Sequence, residues 1–192
     1  IFEGNVVLHD GVRIGPFCRI KDAELGSGTV VQAHCDLDGV VAQAHCTLGP
    51  FARLRPGTEL AEGVHLGNFV ETKKTRLGVG SKANHLSYLG DAEIGSKVNI
   101  GAGTIFANYD GINKYKTVIG SHAKTGSGNV FVAPIVIGDG AYTAAGSTIR
   151  RDVEPGALAL NTTPQKNLAG WVLDKRPGSK SAEAAQRSSD AS

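Results

Sequence analysis

An all-β fold, a parallel β-helix of hexapeptide repeats, is what this sequence predicts, and three observations predict it. Aliphatic-glycine pairs open six-residue units at Leu77-Gly78, Leu89-Gly90, Ile94-Gly95 and Ile100-Gly101, and a small residue often follows three positions past the glycine, as Ser81, Val98 and Thr104 do. Glycine is abundant, 26 of 192 residues, without the every-third-residue period of collagen, so it marks many tight turns. No helical period competes over residues 1–153, and a sandwich would want longer strands joined by hairpin turns.

The units can be counted along the chain. They open at Ile14, Ile20, Leu25, Val31 and Leu37, then after a short step at Ala42, Leu48, Leu54, Leu60, Leu66 and Thr72. Further units open at Leu77, Ala83, Leu89, Ile94, Ile100 and Phe106. An excursion over 107–117 interrupts the count, which resumes at Ile119, Thr125, Phe131, Ile137, Thr143 and Ile149. Each unit reads as one short strand and a turn. Three units make a triangular coil of 18 residues, and coils stacked at about 4.8 Å place residues 18 apart nearly on top of each other.

These counts divide the chain. Residues 1–154 are the solenoid, with the loop 107–117 thrown out of it. Residues 155–176 are a C-terminal extension in which 165–175 is amphipathic enough for a short helix over the open end, where free strand edges need cover. Residues 177–192 are polar and low in complexity, which predicts a disordered tail. The chain lacks an initiating Met and begins inside a repeat, so it reads as a fragment of a longer protein.

Composition excludes several classes. A formal net charge of +2 gives no global field for nucleic acid. No apolar run reaches the roughly 18 residues of a membrane helix, and no signal peptide is visible, so a cytoplasmic protein is expected. The cysteines, Cys18, Cys35 and Cys46, lack metal-ligand spacing and occupy the fifth position of their units, where other units place small residues. They read as buried packing residues in a reducing compartment, and no metal site is expected.

Stacking turns spacing into chemistry. Arg55 and Lys73, 18 apart, should lie on one edge roughly 5 Å from each other, where they repel unless an anion lies between them. A phosphate-type ligand satisfies that pair; so does a solvated basic edge, since Lys74, Arg76 and Lys82 are close by. Ser127 and Ala145, also 18 apart, leave either a shallow groove for an extended ligand or an ordinary coil edge. His85 is the best acid/base candidate, because imidazole titrates near neutrality. His9, His34, His45, His65 and His122 compete for that role; His85 alone has Tyr88 three residues on and the polar loop two coils further along. That loop carries Asn108, Tyr109, Asp110, Lys114 and Lys116. No nucleophile elbow or glycine-rich phosphate loop is present, which favours direct transfer without a covalent enzyme intermediate.

The segments RLRPG, GNFVETKK, HLSYLGDAEIG, NIGAG and ANYDG, with Lys114, resemble the acetyltransferase domain of the bifunctional family that makes UDP-N-acetylglucosamine. The resemblance runs over residues 1–178 and is densest over 49–116. It implies a left-handed coil, contrary to the usual right-handed crossover, and a preceding uridyltransferase domain that this chain lacks, to which any Mg2+ requirement would belong. The implied activity is acetyl transfer from acetyl-CoA to the amine of glucosamine 1-phosphate in a homotrimer with active sites between subunits.

Residue by residue, the resemblance implies that Arg55 and Lys73 hold the sugar phosphate, that Tyr88, Asn99 and Lys114 complete that pocket, and that His85 is the general base. Asn108 and Tyr109 match loop residues that meet acetyl-CoA, with Asn108 or a nearby backbone N–H steadying the oxyanion. Ala102, Ser127 and Ala145 match CoA contacts. Trp171 matches a C-terminal Trp that in some members reaches a neighbouring subunit's site; packing on its own terminal coil is the alternative. Thr162 stands where some members have an Arg near the CoA phosphates, a place that Lys166 could fill. The rival readings are another hexapeptide acyltransferase with a different amino or hydroxyl acceptor, a zinc carbonic anhydrase of this fold, and a purely structural solenoid. The second wants a His-x4-His pair and the third wants flat Thr faces without a loop, and neither feature is in the sequence.

Overall fold

The structure, a computed structural model, describes residues 1–161 and 163–190. Short strands, most of two or three residues, wind around three faces and pair in parallel with the coils before and after them. One face is a nine-stranded sheet; the other two form a single fifteen-stranded sheet. They merge because two seven-residue strands, Glu71–Leu77 and Tyr88–Ile94, run continuously round the corner between those faces.

The core is the column of unit-opening residues. Ile14 is half-buried, and every later opener from Ile20 to Ile149 is buried. Each buried Leu, Ile or Phe contributes about 1.5–3 kcal/mol relative to exposure. Some openers are polar, and their hydroxyls are satisfied inside the prism. Thr58 and Thr72 share a 2.9 Å hydrogen bond, and Thr143 Oγ1 donates to the Oδ1 of buried Asn129, whose Nδ2 reaches the Ala144 carbonyl at 2.8 Å. The cysteines are free and buried, and burial pushes the Cys35 thiol up to about 11.

The stacking step differs from a uniform 18. It is 18 where all three units have six residues, as from Leu54 to Thr72, but 17 where one unit has five, as from Leu66 to Ala83. Across the excursion it becomes 25, from Phe106 to Phe131. This one-residue change decides which side chains meet at the site.

Residues 163–192 cluster as a second unit. Helix α1, Trp171–Lys175, is shorter than the amphipathic stretch 165–175 suggests. The tail expected to be disordered contains helix α2, Lys180–Asp190. Its Ala, Glu, Gln, Lys and Arg are strong helix formers, and the Ser179 hydroxyl caps its start by accepting the Ala182 N–H at 3.2 Å. Among the described residues no helix is long and apolar enough to cross a membrane.

Candidate active site

The loop excursion leaves the solenoid at the corner where the two long strands turn, and a cleft of about 530 Å³ opens there. Its walls are Arg55, Lys73, Tyr88, Asn108, Tyr109, Ile112 and Lys114, so six of the residues singled out in the sequence converge on one hollow. The register makes this happen. Arg53 pairs with Glu71 and Leu54 with Thr72, which sets Arg55 beside Lys73; Lys73 pairs in turn with Gly90. The loop follows the strand one coil beyond Tyr88–Ile94 and two coils beyond Glu71–Leu77.

The loop is a small hairpin held by its own polar groups. Tyr109 and Lys114 form an antiparallel bridge, the Tyr115 N–H donates to the Asn108 carbonyl at 2.8 Å, and the Asp110 carboxylate accepts the Ile112 and Asn113 N–H groups at 2.8 and 2.7 Å. Those backbone hydrogen bonds, led by that of Asn113, hold the Asp110 carboxyl below its usual range. The hairpin thereby sets Lys114 against Lys73, and that contact holds the Lys114 ammonium below the usual lysine value. Arg55 pairs with Glu71 at 2.9 Å and Lys73 with Asp91 at 3.5 Å. Three cations facing one hollow is an arrangement that a dianion would relieve.

Gly90 forms the floor under Tyr88. A Cβ at Gly90 would meet the Tyr88 hydroxyl at 2.5 Å and its ring at 2.7 Å, so the ring lies over this residue only because no side chain stands there.

His85 is not in this cleft. It ends the strand Lys82–His85 on the nine-stranded sheet, exposed, at a different corner. Its Nδ1 lies 3.2 Å from Asn68 Oδ1, the residue opposite it in the preceding coil. Following the register forward, His85 stacks beneath Ala102, Ala102 beneath Ser127 and Ser127 beneath Ala145. Backbone hydrogen bonds from Gly103, Gly128 and Gly146 N–H to the His85, Ala102 and Ser127 carbonyls, at 3.1, 2.7 and 2.8 Å, trace the same column. Asn99 lies on this side too, between Lys82 and Lys124. A single chain therefore carries the candidate residues in two groups: the cationic cleft, and a corner column headed by His85 and continued by small residues.

Two candidates fall elsewhere. Trp171 opens α1, 46% exposed, with the Arg176 guanidinium 5.7 Å from its ring. Thr162 lies outside the described residues. A larger cavity, about 630 Å³, lies at the last coil between residues 148–154 and 157–161 and is lined by none of the candidates. Sequence reasoning missed Asn68, Asp91 and Gly90. The first two were findable: each lies 17 residues before a residue already singled out, His85 or Asn108.

The fold and the site define a class, the hexapeptide-repeat solenoids with an inserted polar loop. The family model described as "Bacterial transferase hexapeptide (six repeats)" matches residues 116–151. More particularly, the chain is similar to Bifunctional protein GlmU: 63% identical over 181 residues to that of Stenotrophomonas maltophilia strain K279a, covering 94% of this chain and 39% of that protein. To that of Xylella fastidiosa strain M12 it is 54% identical over 176 residues, covering 92% and 38%. The chain thus spans about two fifths of the length of these relatives, and the family resemblance read from its motifs is borne out. Among solved structures, LpxA from Acinetobacter baumannii shares the fold with a TM-score of 0.55 at 15% identity, over 95% of this chain and 78% of that one. A GDP-perosamine N-acetyl transferase mutant from Caulobacter crescentus does so with a TM-score of 0.52 at 22% identity, over 58% and 51%.

Proposed function

We propose that this chain transfers an acetyl group from acetyl-CoA to the amine of glucosamine 1-phosphate, giving N-acetylglucosamine 1-phosphate. The observation that carries this reading is the cleft in which Arg55, Lys73 and Lys114 face one hollow beside Tyr88 and Tyr109. Three cations suit a phosphate monoester, and the flanking rings suit the apolar face of a sugar. The column His85, Ala102, Ser127 and Ala145 suits the other substrate, because small side chains leave backbone groups open to an extended pantetheine arm.

The two groups of residues act together across a subunit boundary. In the homotrimer, the cleft of one copy faces the His85 column of its neighbour, and Asn99 joins the sugar pocket from that side. With Nδ1–H donating to Asn68 Oδ1, His85 keeps the Nε2 lone pair for the reaction. As the sugar amine attacks the thioester carbonyl, Nε2 takes its proton. The tetrahedral oxyanion collapses with cleavage of the C–S bond, and the imidazolium returns the proton to the CoA sulfur. Backbone N–H groups of this corner other than those of Gly103, Gly128 and Gly146, which the carbonyls of the preceding coil already take, steady the oxyanion.

The test is release of CoA thiol from acetyl-CoA with glucosamine 1-phosphate, with plain glucosamine as the control. Transfer to the phosphorylated sugar alone is the expected result, and His85→Ala lowers its rate about 10²–10⁴-fold with the fold unchanged by circular dichroism. Transfer to neither sugar by a folded trimer sinks the acceptor assignment and moves it to another amine or hydroxyl. Full turnover in His85→Ala sinks the base.

A further inference from the structure

Behind two residues of the cleft lining, Lys73 and Asn108, stands an ionisable group that the reaction scheme does not use. Asp91 sits at the corner immediately after Gly90, in left-handed backbone (φ 50°), a conformation that Asp tolerates better than most residues. Its side chain is 16% exposed, and it lies among cations: Lys73 at 3.5 Å, with Lys114 and Lys74 near enough to act on the same group of charges. The carboxylate oxygen that meets Lys73, Oδ2, also accepts a hydrogen bond from Asn108 Nδ2. One oxygen thus joins a residue of the strand Glu71–Leu77 to the first residue of the loop hairpin.

An ionised carboxylate only accepts hydrogen bonds, so the nitrogen end of the Asn108 amide must face it. The amide oxygen is consequently turned away from Asp91. Asn108 is 6% exposed and its backbone is tied at both ends, the N–H to Phe106 and the carbonyl to Tyr115, so the side chain has few alternative settings. Lys73, 15% exposed, would otherwise stand against Lys114 with no counter-charge. Asp91 is therefore placed to do two things with one atom: keep the Lys73 ammonium in position in a cation-rich hollow, and decide which end of the Asn108 amide is presented.

We propose that Asp91 is the positioning residue of the cleft, holding Lys73 toward the substrate phosphate and turning the Asn108 carbonyl oxygen outward to accept an N–H of the substrate amine. On this arrangement Asn108 orients the nucleophile, and the oxyanion is left to backbone donors. The proposal rests on the acceptor reading above, and its test separates the two.

The variant is Asp91→Asn, which keeps the shape, removes the charge and lets the side chain offer either a donor or an acceptor to Asn108. Two readouts are needed. The first is independent of activity: the side-chain amide resonances of Asn108, which in the wild type are shifted and slow to exchange and in D91N return toward free-amide positions. The second is kinetic. D91N lowers kcat about tenfold through misplacement of the amine, and it raises KM for glucosamine 1-phosphate severalfold while KM for acetyl-CoA stays within twofold. In a Lys73→Met background D91N adds nothing further to that KM, because the two act as one unit. Unchanged Asn108 resonances in D91N, or wild-type kcat and KM in a folded D91N, overturn the proposal; so does simple additivity with K73M. Should the wild type fail to acetylate glucosamine 1-phosphate, the acceptor reading falls while the amide resonances still decide the role of Asp91. Should D91N fail to fold, the same amide pair followed through an acid titration of the wild type must move together with the Asp91 carboxyl resonance, and independence of the two sinks the idea.

Discussion

One corner of the prism is built twice. Along its first half the corner residue is Phe17, then His34, Phe51, Phe69 and Leu86; along its second half it is Gly103, Gly128 and Gly146. All eight have left-handed backbone, with φ between 51° and 71°. In the first half that conformation costs roughly 1–2 kcal/mol per residue, offset by a ladder of stacked rings. Centroids lie 4.9 Å apart for Phe17–His34, 4.7 Å for His34–Phe51 and 5.5 Å for Phe51–Phe69. In the second half glycine removes the cost and the ladder together. The packing does not demand glycine there: a Cβ at Gly103 or Gly128 would meet nothing closer than 3.8 Å, and one at Gly146 nothing within 4 Å. The left-handed backbone alone favours glycine there, and the result is a corner with no side chain in the way. This bare half begins one coil past His85 and runs beside Ala102, Ser127 and Ala145, where the proposed acetyl-CoA arm lies.

The largest effect is expected from giving the bare half a side chain. Asn adopts left-handed backbone more readily than other non-glycine residues, so Gly128→Asn should lower the melting temperature by no more than a few degrees. It should raise KM for acetyl-CoA at least tenfold, about 1.4 kcal/mol, and leave KM for glucosamine 1-phosphate within twofold. Steady-state kinetics on both substrates checks this. A variant that melts normally and binds acetyl-CoA as before would mean that the glycines are incidental and that the extended ligand lies elsewhere.

The converse change in the aromatic half should affect stability alone. Phe51 stacks on two rings, and each aromatic pair is worth about 0.5–1.5 kcal/mol beyond its area, so Phe51→Ala should cost about 1–3 kcal/mol. The melting temperature falls by about 2–4 °C for each kcal/mol in a chain of this size. Both KM values stay within twofold. If Phe51→Ala instead disturbs acetyl-CoA kinetics without changing the melt, the division of this corner into a structural half and a binding half is wrong.

How much of this was legible beforehand follows from the stacking step. The hexad count gave the core directly, because an inward residue at each unit opening, aliphatic at most of them, is a local signal repeated twenty-odd times along the chain. The pairs Arg55–Lys73 and Ser127–Ala145 were legible because their coils have 18 residues. Asn68–His85 and Asp91–Asn108 escape a uniform count of 18 and become legible only once the five-residue units are counted, which shorten those coils to 17, because a slip of one residue exchanges the partner of every side chain. The separation of His85 from the cationic cleft was hidden for a different reason. Tyr88 is only three residues from His85, yet a corner intervenes, so sequence proximity placed on one surface what the prism places on two. Helix α2 was masked by composition: serine and charge suggest disorder, whereas a capping Ser179 and runs of Ala, Glu, Gln and Arg favour a helix locally.

The smallest effect tests the assignment of one substrate to each corner. Lys114 stands against Lys73, which holds its ammonium below the usual lysine range. A phosphate monoester is already a dianion above its second pKa of about 6, so from neutral pH upward the protein supplies the change in charge. Below the lowered Lys114 pKa the cleft presents all three cations; as pH rises through it, one is lost. KM for glucosamine 1-phosphate should therefore rise a fewfold with pH earlier than an ordinary lysine would titrate, while KM for acetyl-CoA, held at the glycine corner, stays level over the same range. Lys114→Arg should flatten the first profile, because a guanidinium does not deprotonate there. A parallel rise in the Arg variant would assign the pH dependence to another group, and a rise in both KM values would mean that the two ligands do not divide between the corners.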